Sequence, residues 1–302
     1  MNITVFGLGN VGRTLVSMLL QERDRCWNIN IVDPSEEVFG SYLDLQHAAE
    51  VEGLHTLTLN HKLLVEQSRF IFHCAGDGVI PGGDRLDTAR QNKEITESIF
   101  SSYEFQRDAI VIVMTNPLDV ITYYAQKYSK LPANQVIGTG TLLDSARLNQ
   151  IVFNQLNNPR CTVETQVFGE HGKSAVLIES LSTVDDQSLR DVLTDREIED
   201  CFQEMLQSAA LIKKTAGATM FGVIQCALRI MYTILNHREL RISVSRVADT
   251  YLEQLLETEN IAISWLCTVN RNGADIIDSI TPTESELEQL KASAKAIKTH
   301  IS

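Results

Sequence analysis

In the first half of the chain, short β-branched and apolar runs alternate with segments whose apolar positions recur at helical spacing. Runs at 3–6, 29–32, 70–74 and 110–114 are continuous enough to be strands buried on both faces, and 136–138 adds a shorter one. Between them, 15–21, 88–100 and 120–129 read as helices. Strand–helix alternation of this kind predicts a parallel sheet covered by helices on both sides. The rhythm then changes. A helix over 142–156 is followed by strand-like runs at 162–168 and 175–180, long helices over 195–214 and 222–236, and strand candidates at 240–247 and 261–269. A last helix is expected from Thr281, with Pro282 at its first position and Glu284 closing a capping box. The fold class is therefore α/β: an N-terminal parallel sheet over residues 1–140, then a mixed α+β domain over 141–302.

Composition sharpens this outline. A chain of 302 residues is long for one small core and suits two domains. A formal charge of −13 repels phosphate backbones and argues against nucleic acid as a partner. The cysteines Cys26, Cys74, Cys161, Cys201, Cys226 and Cys267 show no CxxC spacing, which argues for free thiols in a reducing compartment and against a metal centre. No apolar run approaches a membrane span, and no signal-type segment precedes the first strand, so a cytoplasmic location is expected.

The first chemical signal follows the first strand. In Gly7-Leu8-Gly9-Asn10-Val11-Gly12, the first glycine permits a tight turn, the second lets backbone approach a pyrophosphate, and the third lets helix and strand pack closely. The opening helix contributes free amides and a partial positive charge. The motif alone is weak, but Asp33 ends the next strand, 21 residues after Gly12, where a carboxylate accepts hydrogen bonds from a ribose 2′-hydroxyl and repels a 2′-phosphate. This predicts a Rossmann domain that takes NAD in preference to NADP. The competing reading is an ordinary turn in which Asp33 only caps the loop before Pro34.

His171, in Gly169-Glu170-His171-Gly172, is flanked by glycines that leave its ring accessible. His47, His55, His61, His237 and His300 read as surface or satisfied core residues, and His73 as structural within an apolar strand. Asp144 and Arg147 are three apart on one helix face, which by spacing alone fits a simple ion pair as well as a site.

Several segments in order resemble the L-lactate/malate dehydrogenase family: residues 136–147 with Asp144 and Arg147, Thr115-Asn116-Pro117-Leu118-Asp119, Arg85-Leu86-Asp87 with Asn92, Gly169 to Gly172, and Asp44-Leu45-Gln46-His47. The resemblance covers nearly the whole chain. It implies an NAD-dependent L-2-hydroxy-acid dehydrogenase moving a hydride between the cofactor and a small aliphatic 2-keto acid. His171 is implied as acid/base, Asp144 as its orienting partner, Arg147 as the grip on the substrate carboxylate, and Arg85 as a carbonyl-polarising residue on a closing loop. Asn116 would lie near the nicotinamide and the reacting oxygen, and Ala75 and Gly76 would join the glycine loop, Asn10 and Val11 at the cofactor. No metal is implied, and a homodimer or homotetramer is expected.

The chain departs from the family pattern at two places that bear on substrate. Six residues before Arg85, lactate enzymes carry glutamine and malate enzymes arginine, but this chain has Val79. Gly217 stands about where lactate enzymes have threonine. Together these suggest a wider, apolar pocket, as in the L-2-hydroxyisocaproate dehydrogenase branch; the competing reading of Gly217 is a helix irregularity. Malate dehydrogenase and a catalytically idle binding protein of the same family remain the alternatives. Asn149 and Glu164 replace the cations through which some bacterial relatives hold a sugar bisphosphate, so no such activation is expected.

Overall fold

The computed structural model describes residues 1–77 and 85–301, without the side chains of residues 52 and 85–87. The N-terminal half runs β1 (Asn2–Phe6), α1 (Asn10–Leu19), β2 (Asn28–Val32), α2 (Phe39–Glu52), β3 (Thr56–Leu59), α3 (Lys62–Glu66), β4 (Phe70–His73), α4 (Arg85–Ser101), β5 (Ile110–Val113), α5 (Leu118–Ser129) and β6 (Val136–Gly138). These six strands pair in parallel in the order β3-β2-β1-β4-β5-β6. Ile3, Val5, Ile29, Ile31, Phe70, Ile71, Phe72 and Ile110 to Val113 are all buried, as a sheet covered on both faces requires. The α/β fold class is as the pattern predicted.

The second half runs α6 (Leu142–Leu156), β7 (Val163–Glu164), β8 (Val167–Gly169), β9 (Ala175–Leu177), β10 (Thr183–Val184), β11 (Gln187–Ser188), α7 (Leu189–Val192), α8 (Asp195–Ala216), α9 (Phe221–Leu235), β12 (Leu240–Val247), α10 (Thr250–Leu256), β13 (Ala262–Asn270), β14 (Gly273–Ile276) and α11 (Glu284–Lys298). The change of architecture does not interrupt the sheet. β12 adds antiparallel to β6, and β13, β8 and β9 continue outward from it. At this seam Gly138, Ser245, Ser264 and Gly169 lie side by side in register. Small residues are needed there because a Cβ on Gly138 would collide with the Thr122 hydroxyl of α5. The row lets α5 settle onto the joint.

Four local expectations need correction. The apolar run 162–168 is not one strand: Asn149 Oδ1 accepts from both the backbone and the hydroxyl of Thr165 at 2.7 Å, turning the chain toward α6, so β7 and β8 fall in different sheets. The strand expected over 175–180 stops at Leu177, and a 3₁₀ turn follows at Glu179–Leu181. The first helix begins inside the glycine loop, at Asn10. The last helix is capped by Thr283 with Glu286, not by Thr281 with Glu284.

The last of these shifts has a tertiary cause. Buried Glu286 accepts from the amide of Thr283 and from both the amide and hydroxyl of Ser180, tying α11 to the turn after β9. Burial raises its carboxyl pKa, but these hydrogen bonds outweigh that and leave it lowered. Glu286→Ala is expected to cost about 1–3 kcal/mol in a denaturation titration, the usual cost of stranding buried donors. Because the folded pKa is depressed, this contribution is present above the ordinary carboxylate range and is lost as pH falls through the folded value. A loss that persists unchanged in acid would contradict the hydrogen-bonded role.

Candidate active site

The C-terminal ends of the parallel strands gather the candidate cofactor residues. Gly7 leaves β1 at φ +88°, a conformation that favours glycine, and a Cβ on Gly12 would collide with the Gly7 carbonyl oxygen. Around Gly9, the N-cap of α1, a Cβ would meet nothing within 4 Å, so the backbone is open to close approach. Asn10 is exposed and Val11 half-buried beside this opening. The Asp33 carboxylate accepts from the Leu8 amide at 2.8 Å and from the Ser35 amide at 3.0 Å. It therefore fixes the glycine loop and caps the turn before α2, and its remaining lone pairs are free to accept from a ribose. The capping reading of Asp33 is met by these bonds, which leave room for the ribose reading.

Two further strand ends complete this rim. Thr115 after β5 donates to the Ala75 carbonyl at 2.8 Å, and a Cβ on Gly76 would crowd Thr115 and Asn92. Buried Asn92 on α4 donates to the carbonyls of Asp77 and Asn116 and accepts from the Asp77 amide. The Asn116 side chain is exposed, with no hydrogen-bond partner among the described residues. Val79 and its neighbouring glycines, Gly78, Gly82 and Gly83, lie outside the described residues, as does the side chain of Arg85.

The second cluster forms where α6, α5 and the turn after β8 converge. Asp144 Oδ2 lies 2.6 Å from His171 Nδ1, and Asp144 Oδ1 accepts from Arg147 Nη1 at 3.1 Å. The i, i+3 pair on α6 is thus an ion pair and also the orienting arm of a histidine 27 residues away in sequence. Burial acts on the Asp144 carboxyl to raise its pKa, but His171 and then Arg147 outweigh it and lower the pKa. An ionised carboxylate only accepts, so His171 Nδ1 carries the proton and Nε2 is the exchangeable nitrogen, without a partner among the described residues. Burial acts to lower the His171 pKa, but Asp144 and Asp119 outweigh burial and raise it. His171 stabilises below its unfolded value of 6.5 and less as pH rises through the folded value, while Asp144 stabilises above 3.8 and less as pH falls through its own. The pair supports the fold most fully between those two values.

Asp119 escaped the sequence reading as a site residue. Its Oδ2 accepts from the backbone amide of His171 at 2.7 Å, and its Oδ1 from the Ser245 hydroxyl at 2.6 Å. An acid flanked by Leu118 and Val120, both buried, was the available signal. It reads equally well as a charge in the first turn of a helix.

Other sequence candidates lie elsewhere. Gly217 is the C-cap of α8 at φ +80°, and a Cβ there would reach open space. Helix termination accounts for this glycine, so it supplies no support for a widened pocket. His73 is structural, fully buried, with Nε2 near the Thr96 hydroxyl and a pKa pulled down by burial to about 3. All six cysteines are free. A cleft of about 1390 Å³ opens at the opposite ends of β4 and β5, where α4 and α5 end in Ser101 and Ser129. Lys127 and Lys130 there complement the C-terminus of α5, and the cleft contains none of the candidate site residues. Among the described residues no group of three His, Cys, Asp or Glu side chains is placed to hold a metal ion, and no single helix is long and apolar enough to cross a membrane.

A glycine-loop rim and a carboxylate-backed histidine with its arginine are the parts that an NAD-dependent 2-hydroxy-acid dehydrogenase needs. The chain belongs to the lactate/malate dehydrogenase family: the family's NAD-binding domain matches residues 1–138, and its alpha/beta C-terminal domain matches 141–302. It is 31% identical to an L-lactate dehydrogenase of Macrococcus caseolyticus, over 98% of this chain and 94% of that protein. Among solved structures it resembles a malate dehydrogenase from Archaeoglobus fulgidus in complex with NADH, at 29% identity and TM-score 0.84, covering 100% of this chain and 98% of the other. A minor L-lactate dehydrogenase from Enterococcus mundtii is similar at 26% identity and TM-score 0.87, covering 99% and 96%.

When bound, NAD supplies the hydride acceptor or donor. The residues around the glycine loop fit it, and Asp33 makes a measurable demand. A carboxylate facing a 2′-phosphate without a cation costs several kcal/mol. Catalytic efficiency with NADH is expected to exceed that with NADPH by at least about tenfold, since each factor of ten needs only about 1.4 kcal/mol. Equal efficiencies would show that Asp33 does not reach the ribose.

Proposed function

We propose that the enzyme is an L-2-hydroxy-acid dehydrogenase for small aliphatic acids, lactate or a bulkier homologue such as 2-hydroxyisocaproate. The observation that carries this reading is Asp144 bonded at once to His171 and Arg147. One carboxylate holds a proton-exchanging ring beside a cation that suits a carboxylate ligand. In this reading His171 Nε2 gives its proton to the ketone oxygen during reduction and takes it back during oxidation, while Asp144 stabilises the imidazolium. Arg147 grips the substrate carboxylate, Asn116 steadies the nicotinamide side of the reactant, and Arg85 polarises the carbonyl. Residues 1–140 serve the cofactor and 141–302 the substrate. Free thiols fit a cytoplasmic enzyme. Exposed apolar Phe39 and Leu43 on α2, with Leu211 and Phe221 on the α8–α9 arm, favour a homodimer or homotetramer.

Relatives named for lactate and for malate both occur, so malate is the second reading. Val79 separates them. It offers no cation to a second carboxylate, and a buried unpaired charge costs several kcal/mol. With NADH and a panel of 2-keto acids, efficiency with pyruvate or a branched aliphatic acid is expected to exceed that with oxaloacetate by at least about tenfold, a difference of about 1.4 kcal/mol. Oxaloacetate as the best substrate would overturn the reading of Val79, and no turnover of any 2-keto acid would leave a binding protein of the same family.

A further inference from the structure

The cleft at the far ends of β4 and β5 inverts the charge of the chain. Six cations and three carboxylates line it, whereas the whole sequence carries 26 Lys and Arg against 39 Asp and Glu. Four of these cations have local work. Lys62 lies 3.8 Å from Glu66, one turn on along α3. Arg69 lies 3.5 Å from the Asp108 carboxylate and also donates to the carbonyls of Asp108 and Arg271. Lys127 and Lys130 serve the C-terminus of α5, and Lys127 also stands 5.9 Å from the ring centre of Tyr128. Arg107 and Arg271 are left over. Both are exposed and on loops, one before β5 and one in the β13–β14 turn, so no helix end calls for their charge. Neither guanidinium has a hydrogen bond or ion pair among the described residues. Of the lining carboxylates, only Glu104 has no cation partner among those residues.

A lone exposed arginine is satisfied by water and implies nothing. These two differ because the backbone beneath each is fixed, and because they line one cleft from separate halves of the chain. Buried Gln135 donates to the carbonyls of Arg107 at 3.0 Å and Ala109 at 2.7 Å. On the other side, Arg69 holds the Arg271 carbonyl at 3.2 Å, and Asn134 donates to the Asn272 carbonyl at 3.3 Å. The turn sits so close that a Cβ on Gly273 would collide with the Asn134 carbonyl oxygen. We propose that this cleft binds a polyphosphorylated small molecule, its phosphates held by Arg107 and Arg271 with Lys127 and Lys130 adding positive charge. A guanidinium fork matches phosphate oxygens two at a time. Six cations against three carboxylates leave three positive charges over, which suits a di- or triphosphate better than a monoanion. The volume of about 1390 Å³ leaves ample room for such a ligand. Half-buried Tyr103, Phe105 and Tyr128 also line the cleft and give a planar base an apolar surface. The proposal does not depend on the choice of 2-keto acid, since none of the candidate site residues line this cleft.

The test is isothermal titration calorimetry at low ionic strength, without divalent metal, on protein saturated with NADH so that the glycine loop is already filled. ATP and inorganic tripolyphosphate are titrated separately. Both are expected to bind, and the Arg107→Gln/Arg271→Gln double variant to bind each at least about tenfold more weakly, the scale of losing charge-assisted hydrogen bonds. Both side chains are exposed and unbonded, so the double variant should fold and keep its NADH affinity within about twofold. Arg160→Gln removes an exposed charge outside the cleft and should leave both affinities unchanged. Tighter binding of ATP than of tripolyphosphate supports a nucleotide held partly by the aromatic wall, and equal binding supports a site that reads the phosphate chain alone. No binding of either anion at millimolar concentration overturns the proposal. So does undiminished binding by the double variant, or an equal loss in Arg160→Gln, which would place the effect in overall charge.

Discussion

The Asp144 carboxylate has two oxygens and two committed partners, and this division of its lone pairs organises the site. Oδ2 fixes the ring of His171 and Oδ1 holds Arg147. Removing a carboxylate from water is expensive and is tolerated only when charge and hydrogen bonds replace the solvent. His171 and Arg147 supply that replacement, and Asp144 in turn defines which imidazole nitrogen is free. Stability and the proposed chemistry therefore draw on the same bonds. The partners lie on different elements, so the arrangement exists only when α6 and the turn after β8 are docked.

That docking depends on the seam of the sheet. Parallel strands through β6 bring the glycine loop, Asp33 and Asn116 to one edge, and antiparallel β12, β13 and β8 bring His171 to the same place. The Gly138, Ser245, Ser264, Gly169 row is narrow enough for α5 to lie against it and polar enough to receive Asp119. The cofactor-binding half thus contributes a buried acid to the histidine delivered by the other half.

Much of this was legible in the sequence. Strands such as 110–114 are unbroken apolar runs, and a sheet covered on both faces leaves that trace. Asp33 and His171 stood out as candidates through their motif and glycine-flanked contexts, and Asp144 and Arg147 only through the resemblance to family motifs. What was not legible depended on tertiary contacts. α2 was missed because exposed Phe39, Leu43 and Val51 are interleaved with its buried Tyr42, Leu45 and Ala49 and blur the helical stripe. α10 was missed because seven residues carry too little periodicity. Thr281 and Thr283 both offer a capping-box frame, and only the contact between Glu286 and Ser180 chooses between them. Gly217 pointed equally to a pocket or a helix end until its backbone angle was known. Asp119 resembles any acid in a first helical turn, and its partners are 52 and 126 residues away.

The central claim is that His171, held by Asp144, carries the proton that accompanies the hydride. Its most direct test is the pH dependence of kcat/KM in both directions at saturating cofactor. Reduction needs the imidazolium and oxidation the neutral ring. Since the folded pKa is raised above 6.5, reduction should hold on the acid side and fall as pH climbs through that higher value, while oxidation rises through the same inflection. Mirror-image limbs, abolished in His171→Asn, are the predicted result. Profiles that bend in the same direction, or a His171→Asn enzyme that keeps both limbs and its rate, would contradict the assignment.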